Sequence, residues 1–200
     1  MTDNVSRETM DRLARFKDLV IRWNPRINLV APSTISQFDT RHIEDCLQIS
    51  NHANPESGIW ADLGSGGGFP GIVLATVFSD RPVQFRLLES DQRKAAFLRT
   101  VIRELSLENT QVDSRRIEDA DPLNAAYLSA RALAPLPRLM SYLHRHLAEY
   151  GQAWIMKGEN WQEEVVDARH KWKFNVLPIP STSRPGAALL KISEVTDAKP

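Results

Sequence analysis

Between residues 58 and 71 the chain reads GIWADLGSGGGFPG: an apolar run meets Asp62, and glycines follow at 64, 66, 67 and 68. Pro70 then opens a second apolar segment, Ile72, Val73, Leu74, Ala75, Val77 and Phe78. This is the pattern of a buried strand, a glycine turn and a helix begun by proline, whose missing N–H costs nothing in the first turn. Glycine permits positive φ and lets a ligand come close to the main chain. In open α/β sheets the loop after the first strand is where nucleotide-like ligands bind. These residues predict a nucleotide-type cofactor site.

Three cofactors compete for such a loop. A P-loop needs Gly-Lys followed by Ser or Thr to hold phosphate, whereas Gly68 is followed by Phe69 and Pro70. The dinucleotide fingerprint G-x-G-x-x-G is met at Gly64 and Gly66, but its third glycine falls on Phe69. A ring there would crowd the pyrophosphate and the helix–strand packing. The loop also carries no basic residue, so it suits a ligand without phosphate, such as S-adenosylmethionine. Residues 83–88 (VQFRLL) read as a second strand that ends at Glu89. A carboxylate at this place, about 20 residues beyond the glycines, accepts hydrogen bonds from ribose hydroxyls. Dinucleotide and S-adenosylmethionine sites share that acid, so Glu89 alone does not separate them.

The elements that must position these residues alternate along the chain. Residues 6–23 have apolar positions three and four apart and predict an amphipathic helix, ended at Asn24-Pro25. Ser33 or Thr34 is expected to cap a brief turn, and 41–50 a second helix. From there strands are expected at 59–63, 83–88, 110–113, 126–130 and 153–156. Helices are expected at 70–78, from a Ser90 or Asp91 cap to 104, at 136–146 and at 161–172. Residues 174–177 and 188–192 can close the sheet as an antiparallel pair across a Pro-, Ser- and Thr-rich linker, 178–186. Such alternation implies a mostly parallel sheet with helices on both faces and an antiparallel edge hairpin. The expected organisation is an N-terminal helical extension, 1–57, before one α/β unit, 58–200.

The 200 residues suffice for one domain of ordinary size, and 42% of them are hydrophobic, enough for a core. Lys plus Arg equals Asp plus Glu at 25 each, so no global basic field exists and nucleic acid would have to meet a local patch. The single cysteine, Cys46, excludes a disulfide framework and a cysteine-based zinc site. No apolar run approaches a membrane span. The expectation is a soluble, cytoplasmic protein with no metal and nothing that demands more than a monomer.

Taken in order, Asn28-Leu29, Arg41-His42-x-x-Asp45, DLGSGGGFPG, LLES at 87–90, Ser129-Ala130-Arg131-Ala132 and Met156-Lys157-Gly158 resemble one family. It is the bacterial guanine-N7 methyltransferase of small-subunit ribosomal RNA, also called glucose-inhibited division protein B. The resemblance implies a Rossmann-like, S-adenosylmethionine-dependent methyltransferase fold and, as partner, 16S ribosomal RNA or the small ribosomal subunit. It implies that Gly64, Gly66 and Phe69 line the cofactor, Glu89 holds the ribose, Ile117 and Glu118 border the adenine, and Arg131 closes the pocket. The chain departs from the family in having Val30 where threonine is common, Cys46 where serine is, and a tail poorer in lysine around Arg184.

The chemistry is consistent with that resemblance. Cytosine C5 methylation needs a cysteine nucleophile, and Cys46 lies before the first strand, away from any motif after the fourth. Methylation of exocyclic amines commonly uses an Asp/Asn-Pro-Pro-aromatic motif, which Ser129-Ala130-Arg131-Ala132 does not match. Guanine N7 offers a lone pair and no proton to remove, so alignment can carry catalysis and no general base is expected. Arg41 and His42 on the front helix, Lys157 at the end of strand five and Arg184 in the late loop are candidate RNA contacts, by phosphate pairing or stacking. Each is also readable as a solvated charge, and Arg115-Arg116 as an exposed pair. Trp23, Trp161 and Trp172 read as core. The rival functions are methylation of a small molecule or protein through the same pocket, and a nicotinamide-dependent or non-catalytic nucleotide-binding module.

Overall fold

Apolar runs bounded by turn residues become strands, and the amphipathic stretches between them become crossover helices. The computed structural model describes residues 5–198. Its strands are β1 (Gly58–Leu63), β2 (Val83–Leu88), β3 (Thr110–Asp113), β4 (Ala125–Arg131), β5 (Leu147–Lys157), β6 (Trp172–Pro180) and β7 (Ala188–Asp197). Its helices are α1 (Arg7–Ile27), α2 (Asp45–Ser50), α3 (Gly71–Val77), α4 (Gln92–Glu104), α5 (Leu136–His146) and α6 (Trp161–Arg169). The strands form one sheet in the order β3-β2-β1-β4-β5-β7-β6. Pairing is parallel from β3 through β5 and antiparallel at β5–β7 and β7–β6. The order reverses between β1 and β4, which is the switch point where open α/β sheets leave a crevice.

Both faces of the sheet are covered. Trp60, Phe85 and Leu87 face one apolar cluster with Phe16, Val20, Ile49, Phe69, Ile72 and Phe97, so α1 to α4 lie on that side. Ala61, Leu63, Leu88 and Leu128 face a second cluster with Leu139, Leu143 and Ala168 of α5 and α6. Trp23, Trp161 and Trp172 pack partly buried against these clusters.

Several expected boundaries move, each for a local reason. Helix α1 passes through Pro25 and stops at Asn28, in the left-handed region at φ 48° with its N–H on the Asn24 carbonyl. A proline so near the end costs one helical bond. Buried Asn24 holds the exit by accepting from the Leu29 and Val30 amides at 2.7 and 2.9 Å. The turn Pro32–Gln37 has no side-chain cap; Thr34 Oγ1 donates back to the Ala31 carbonyl instead. The front helix expected at 41–50 is wide-wound over Asp39–Glu44 before α2 begins. Helix α6 ends at Arg169 because Trp172 already pairs with Asp197 in the hairpin. Strand β5 reaches back to Leu147, with its register against β4 shifting between Ala125 and Tyr127. Asp91, one of the two expected caps, accepts from the Arg93 and Lys94 amides to start α4.

Beneath the glycine turn lies a buried polar set. Asp62 Oδ1 accepts from Ser129 Oγ at 2.7 Å, and Ser129 Oγ accepts from Trp60 Nε1 at 3.0 Å. Asp62 Oδ2 has no well-formed hydrogen bond, although it lies against the start of α3, where a Cβ on Gly71 would stand 2.5 Å away. Burial pushes the Asp62 carboxyl up to about 6, against the opposing hydrogen bond from Ser129. A folded-state value above the unfolded one means that this group's contribution is fully present below the ordinary carboxylate range and is lost as pH rises through about 6. The stability of the wild type relative to Asp62→Asn should therefore fall by about 1 kcal/mol between pH 5 and pH 7. Denaturant titrations of both proteins at the two pH values measure this, and a difference that stays constant would contradict it.

Candidate active site

Strand register brings the signature residues to one edge. Leu63 is level with Leu88 on one side and Ala130 on the other, so Gly64 and Glu89 begin the exit from their strands level with Arg131, the last residue of β4. Between them opens a cleft of about 400 Å³ lined by Gly64, Gly66, Phe69, Glu89, Ile117, Glu118 and Arg131, with Lys94, Leu133, Arg138 and Tyr142. All seven expected cofactor residues thus meet in one cavity. Gly64 has φ +64°, and a Cβ there would lie 2.5 Å from Leu133 Cδ1. Gly66 has φ +54° and nothing nearer to such a Cβ than 3.7 Å, so the cradle above it is open.

Glu89 fixes the shape of this cradle. Its Oε2 accepts from the Gly66 amide at 2.8 Å and its Oε1 from the Asp91 amide at 2.7 Å. Each oxygen keeps a second lone pair for a ligand hydroxyl. On the far wall, Glu118 Oε1 accepts from Tyr142 Oη at 2.5 Å and Arg138 Nη2 at 3.0 Å. The Tyr142 bond first, and Arg138 with it, pull Glu118 down to about 2. Ile117 is buried beside it, its carbonyl bonded to His146 Nε2 at 2.9 Å from α5.

A second cleft, of about 420 Å³, adjoins the first and is lined by Arg41, His42, Asp45, Lys157 and Arg184. Arg131 and Ala132 line both, so this segment is the partition. The Arg131 guanidinium lies 4.7 Å from the Phe69 ring centre. It donates to the Arg41 carbonyl and to His42 Nδ1, both at 3.3 Å, and stands 3.8 Å from Asp45 Oδ2. Asp45 also accepts from Ser183 Oγ. Gln48 donates to the Pro180 carbonyl at 2.7 Å and accepts from the Thr182 amide at 3.3 Å. The late loop is thereby tied to α2.

The four expected RNA contacts share the second cleft but not one character. His42 is buried rather than on a helix surface, packed on Phe38 and Phe69. Burial above all, then Arg131 and Arg41, lowers its pKa to about 4, so it is neutral and offers no cation to a phosphate. The Lys157 ammonium lies 2.5 Å from Glu164 and donates to the Ala134 carbonyl, so its charge is already matched. Arg184 is exposed and Arg41 half-exposed; neither guanidinium bonds a side chain among the described residues. Arg115 is forked onto Asp113, as an exposed pair.

Sequence reasoning named Asp45 within a motif but gave it no role, and missed Gln48, Ser183, Arg138 and Tyr142. Only Asp45 had a signal, its spacing of three from His42, which puts both on one helical face. Burial holds the Cys46 thiol up at about 12, consistent with an inert core residue. A wider depression of about 1050 Å³ lies at the opposite end of the sheet, where its Arg12 pairs with Glu8 and its Arg81 with Asn54.

Known proteins share both the sequence and the fold. The profile of the GidB family, rRNA small subunit methyltransferase G, matches residues 9–187. The ribosomal RNA small subunit methyltransferase G of Paracoccus denitrificans is 52% identical over 195 residues, covering 98% of this chain and 100% of that protein. Its counterpart in Ruegeria sp. strain TM1040 is 48% identical, covering 96% and 94%. Among solved structures, a SAM-dependent methyltransferase from Aquifex aeolicus superposes with a TM-score of 0.61 at 11% identity, over 82% of this chain and 98% of that one. A mutant of MtNAS in complex with S-adenosylmethionine gives 0.63 at 16%, over 92% and 75%. These share the fold of S-adenosylmethionine-dependent methyltransferases. With a profile match over most of its length and relatives near half identical end to end, the chain belongs to the rRNA small subunit methyltransferase G family.

Proposed function

We propose that this chain transfers a methyl group from S-adenosylmethionine to N7 of a guanine in 16S ribosomal RNA. The observation that carries this reading is the pair of clefts sharing the Arg131 partition, one with the open Gly66 cradle beside Glu89 and the other lined by Arg41, His42, Lys157 and Arg184. Membership in a family named for small-subunit rRNA methylation supports the substrate. In this reading the partner is 16S rRNA or the small subunit, and the chain acts as a monomer in the cytoplasm.

The first cleft fits the cofactor on this chain's own geometry. The open cradle at Gly66 admits close main-chain contact, and Glu89 presents free lone pairs toward it. Ile117 supplies an apolar wall for adenine, and Glu118, held ionised, supplies an acceptor at its edge. S-adenosylmethionine, when bound, supplies an electrophilic methyl on a sulfonium.

The protein's part is to orient a base whose lone pair needs no activation. Polar groups of the second cleft are already engaged: His42 at both nitrogens, Asp45 by Ser183 and Arg131, Lys157 by Glu164. That arrangement favours alignment over proton abstraction, and alignment is worth up to about 7–11 kcal/mol in favourable cases. Arg41 and Arg184 are the cations left to hold phosphate near the rim.

Two outcomes test the reading. Glu89→Ala should weaken S-adenosylhomocysteine binding in calorimetry by roughly 10- to 100-fold, the worth of hydrogen bonds to a charged group. Unchanged affinity would place the cofactor elsewhere. Small subunits from cells lacking the enzyme, incubated with the protein and labelled S-adenosylmethionine, should yield label as N7-methylguanosine in 16S rRNA. Label confined to a protein or a metabolite would overturn the substrate.

A further inference from the structure

We propose that His42 is the positioning residue that fixes the Arg131 guanidinium at the partition between the two clefts; this rests on the methyl-transfer reading above. Arg131 is held weakly by any single partner. Its contacts to the Arg41 carbonyl and to His42 Nδ1 are both 3.3 Å, and the Asp45 carboxylate stands at 3.8 Å. The Phe69 ring, 4.7 Å from the guanidinium carbon, attracts the cation but offers no hydrogen-bond acceptor to aim it. Direction must come from hydrogen bonds.

The proton inventory makes His42 a one-way device. Arginine has donors and no acceptor, so Nη2 donates and His42 Nδ1 must carry the lone pair. The ring proton is then on Nε2, which donates to Thr34 Oγ1 at 2.8 Å. The Thr34 hydroxyl spends its own proton on the Ala31 carbonyl at 2.7 Å, leaving its oxygen to accept. A backbone carbonyl thus dictates the rotor of Thr34, Thr34 dictates the tautomer of His42, and His42 presents an acceptor to Arg131. Phe38 and Phe69, each 5.1 Å from the imidazole centre, stop the ring from turning. The segment ahead of the sheet therefore sets the angle of a residue that ends β4.

A histidine that merely fills space between two rings would behave differently, and three variants separate the cases. His42→Leu keeps the apolar packing and removes the acceptor. His42→Asn packs worse but places an amide oxygen near the position of Nδ1. Thr34→Val removes the acceptor that selects the tautomer, at a site nearer the surface.

With the full-length chain, small subunits and S-adenosylmethionine, kcat for His42→Leu should fall by about 10- to 100-fold, the scale of a misplaced reacting group. KM for subunits and S-adenosylhomocysteine affinity by calorimetry should each change by less than about threefold. His42→Asn should recover turnover to within about tenfold of wild type although it melts below His42→Leu, and Thr34→Val should lose kcat by about three- to tenfold. Turnover that follows melting temperature instead of the presence of an acceptor overturns the proposal, as does wild-type kcat in Thr34→Val, which decides the matter if His42→Leu does not fold. A wild-type protein that binds S-adenosylhomocysteine but methylates no rRNA sinks the functional reading itself, and the role given to His42 with it.

Discussion

Trp60, Phe85 and Tyr127 are register partners on β1, β2 and β4, and their rings stack side by side at 5.7 and 5.2 Å. This row is what the rest of the structure depends on. A slip of one residue would turn every side chain of a strand to the opposite face, and here it would drive a buried tryptophan through the sheet. The Trp60–Ser129–Asp62 hydrogen bonds repeat the same alignment in polar form. With the register fixed, Gly64, Glu89 and Arg131 come together at the strand ends, and the first cleft follows from the backbone.

The bounds of β2 and β3 were legible to the residue, because VQFRLL alternates before its apolar end and TQVD is a short run set between the turn residues Asn109 and Ser114. Helix α5 was equally clear between its prolines and its last histidine. Boundaries failed where a specific partner outweighed the local pattern: a nearby one at Asn24, whose side chain holds the exit of α1 beyond Pro25, and a distant one at Asp197, which claims Trp172 for the hairpin. Gly64, Gly66 and Glu89 of the first cleft were legible because they follow strand ends, which can be read locally, whereas Ile117, Glu118 and Arg131 came from the family resemblance. The second cleft was not legible. Its bonds join Arg131 to His42 and Ser183 to Asp45, pairs 89 and 138 residues apart in the chain, and no periodicity encodes such a meeting.

Cations line both clefts, Lys94, Arg115, Arg116 and Arg138 the first and Arg41, Lys157 and Arg184 the second. Beside the first, Glu118 is kept ionised by Tyr142 and Arg138. Around the second, positive charge is kept but partly silenced: Arg131 faces Asp45, Lys157 faces Glu164, and His42 is neutral beside two arginines. A neutral chain can still present local cations: Arg41 and Arg184 line the second cleft, and neither guanidinium bonds a side chain among the described residues. With zero formal net charge, long-range attraction of the chain to a polyanion is modest.

Phe69 explains why the glycine loop departs from the dinucleotide pattern. Close helix–strand packing, the office of the third glycine in that pattern, falls instead to Gly71, where a Cβ would meet Asp62 Oδ2 and Leu87 Cδ2 at 2.5 and 2.6 Å. Position 69 is thereby released for a ring. That ring packs on Phe16 and His42 and carries the Arg131 guanidinium on its face. A side chain that crowds a pyrophosphate on the cofactor side is, on the other side, the floor of the partition. Phe69 therefore breaks the dinucleotide pattern on one side and supports the Arg131 partition on the other.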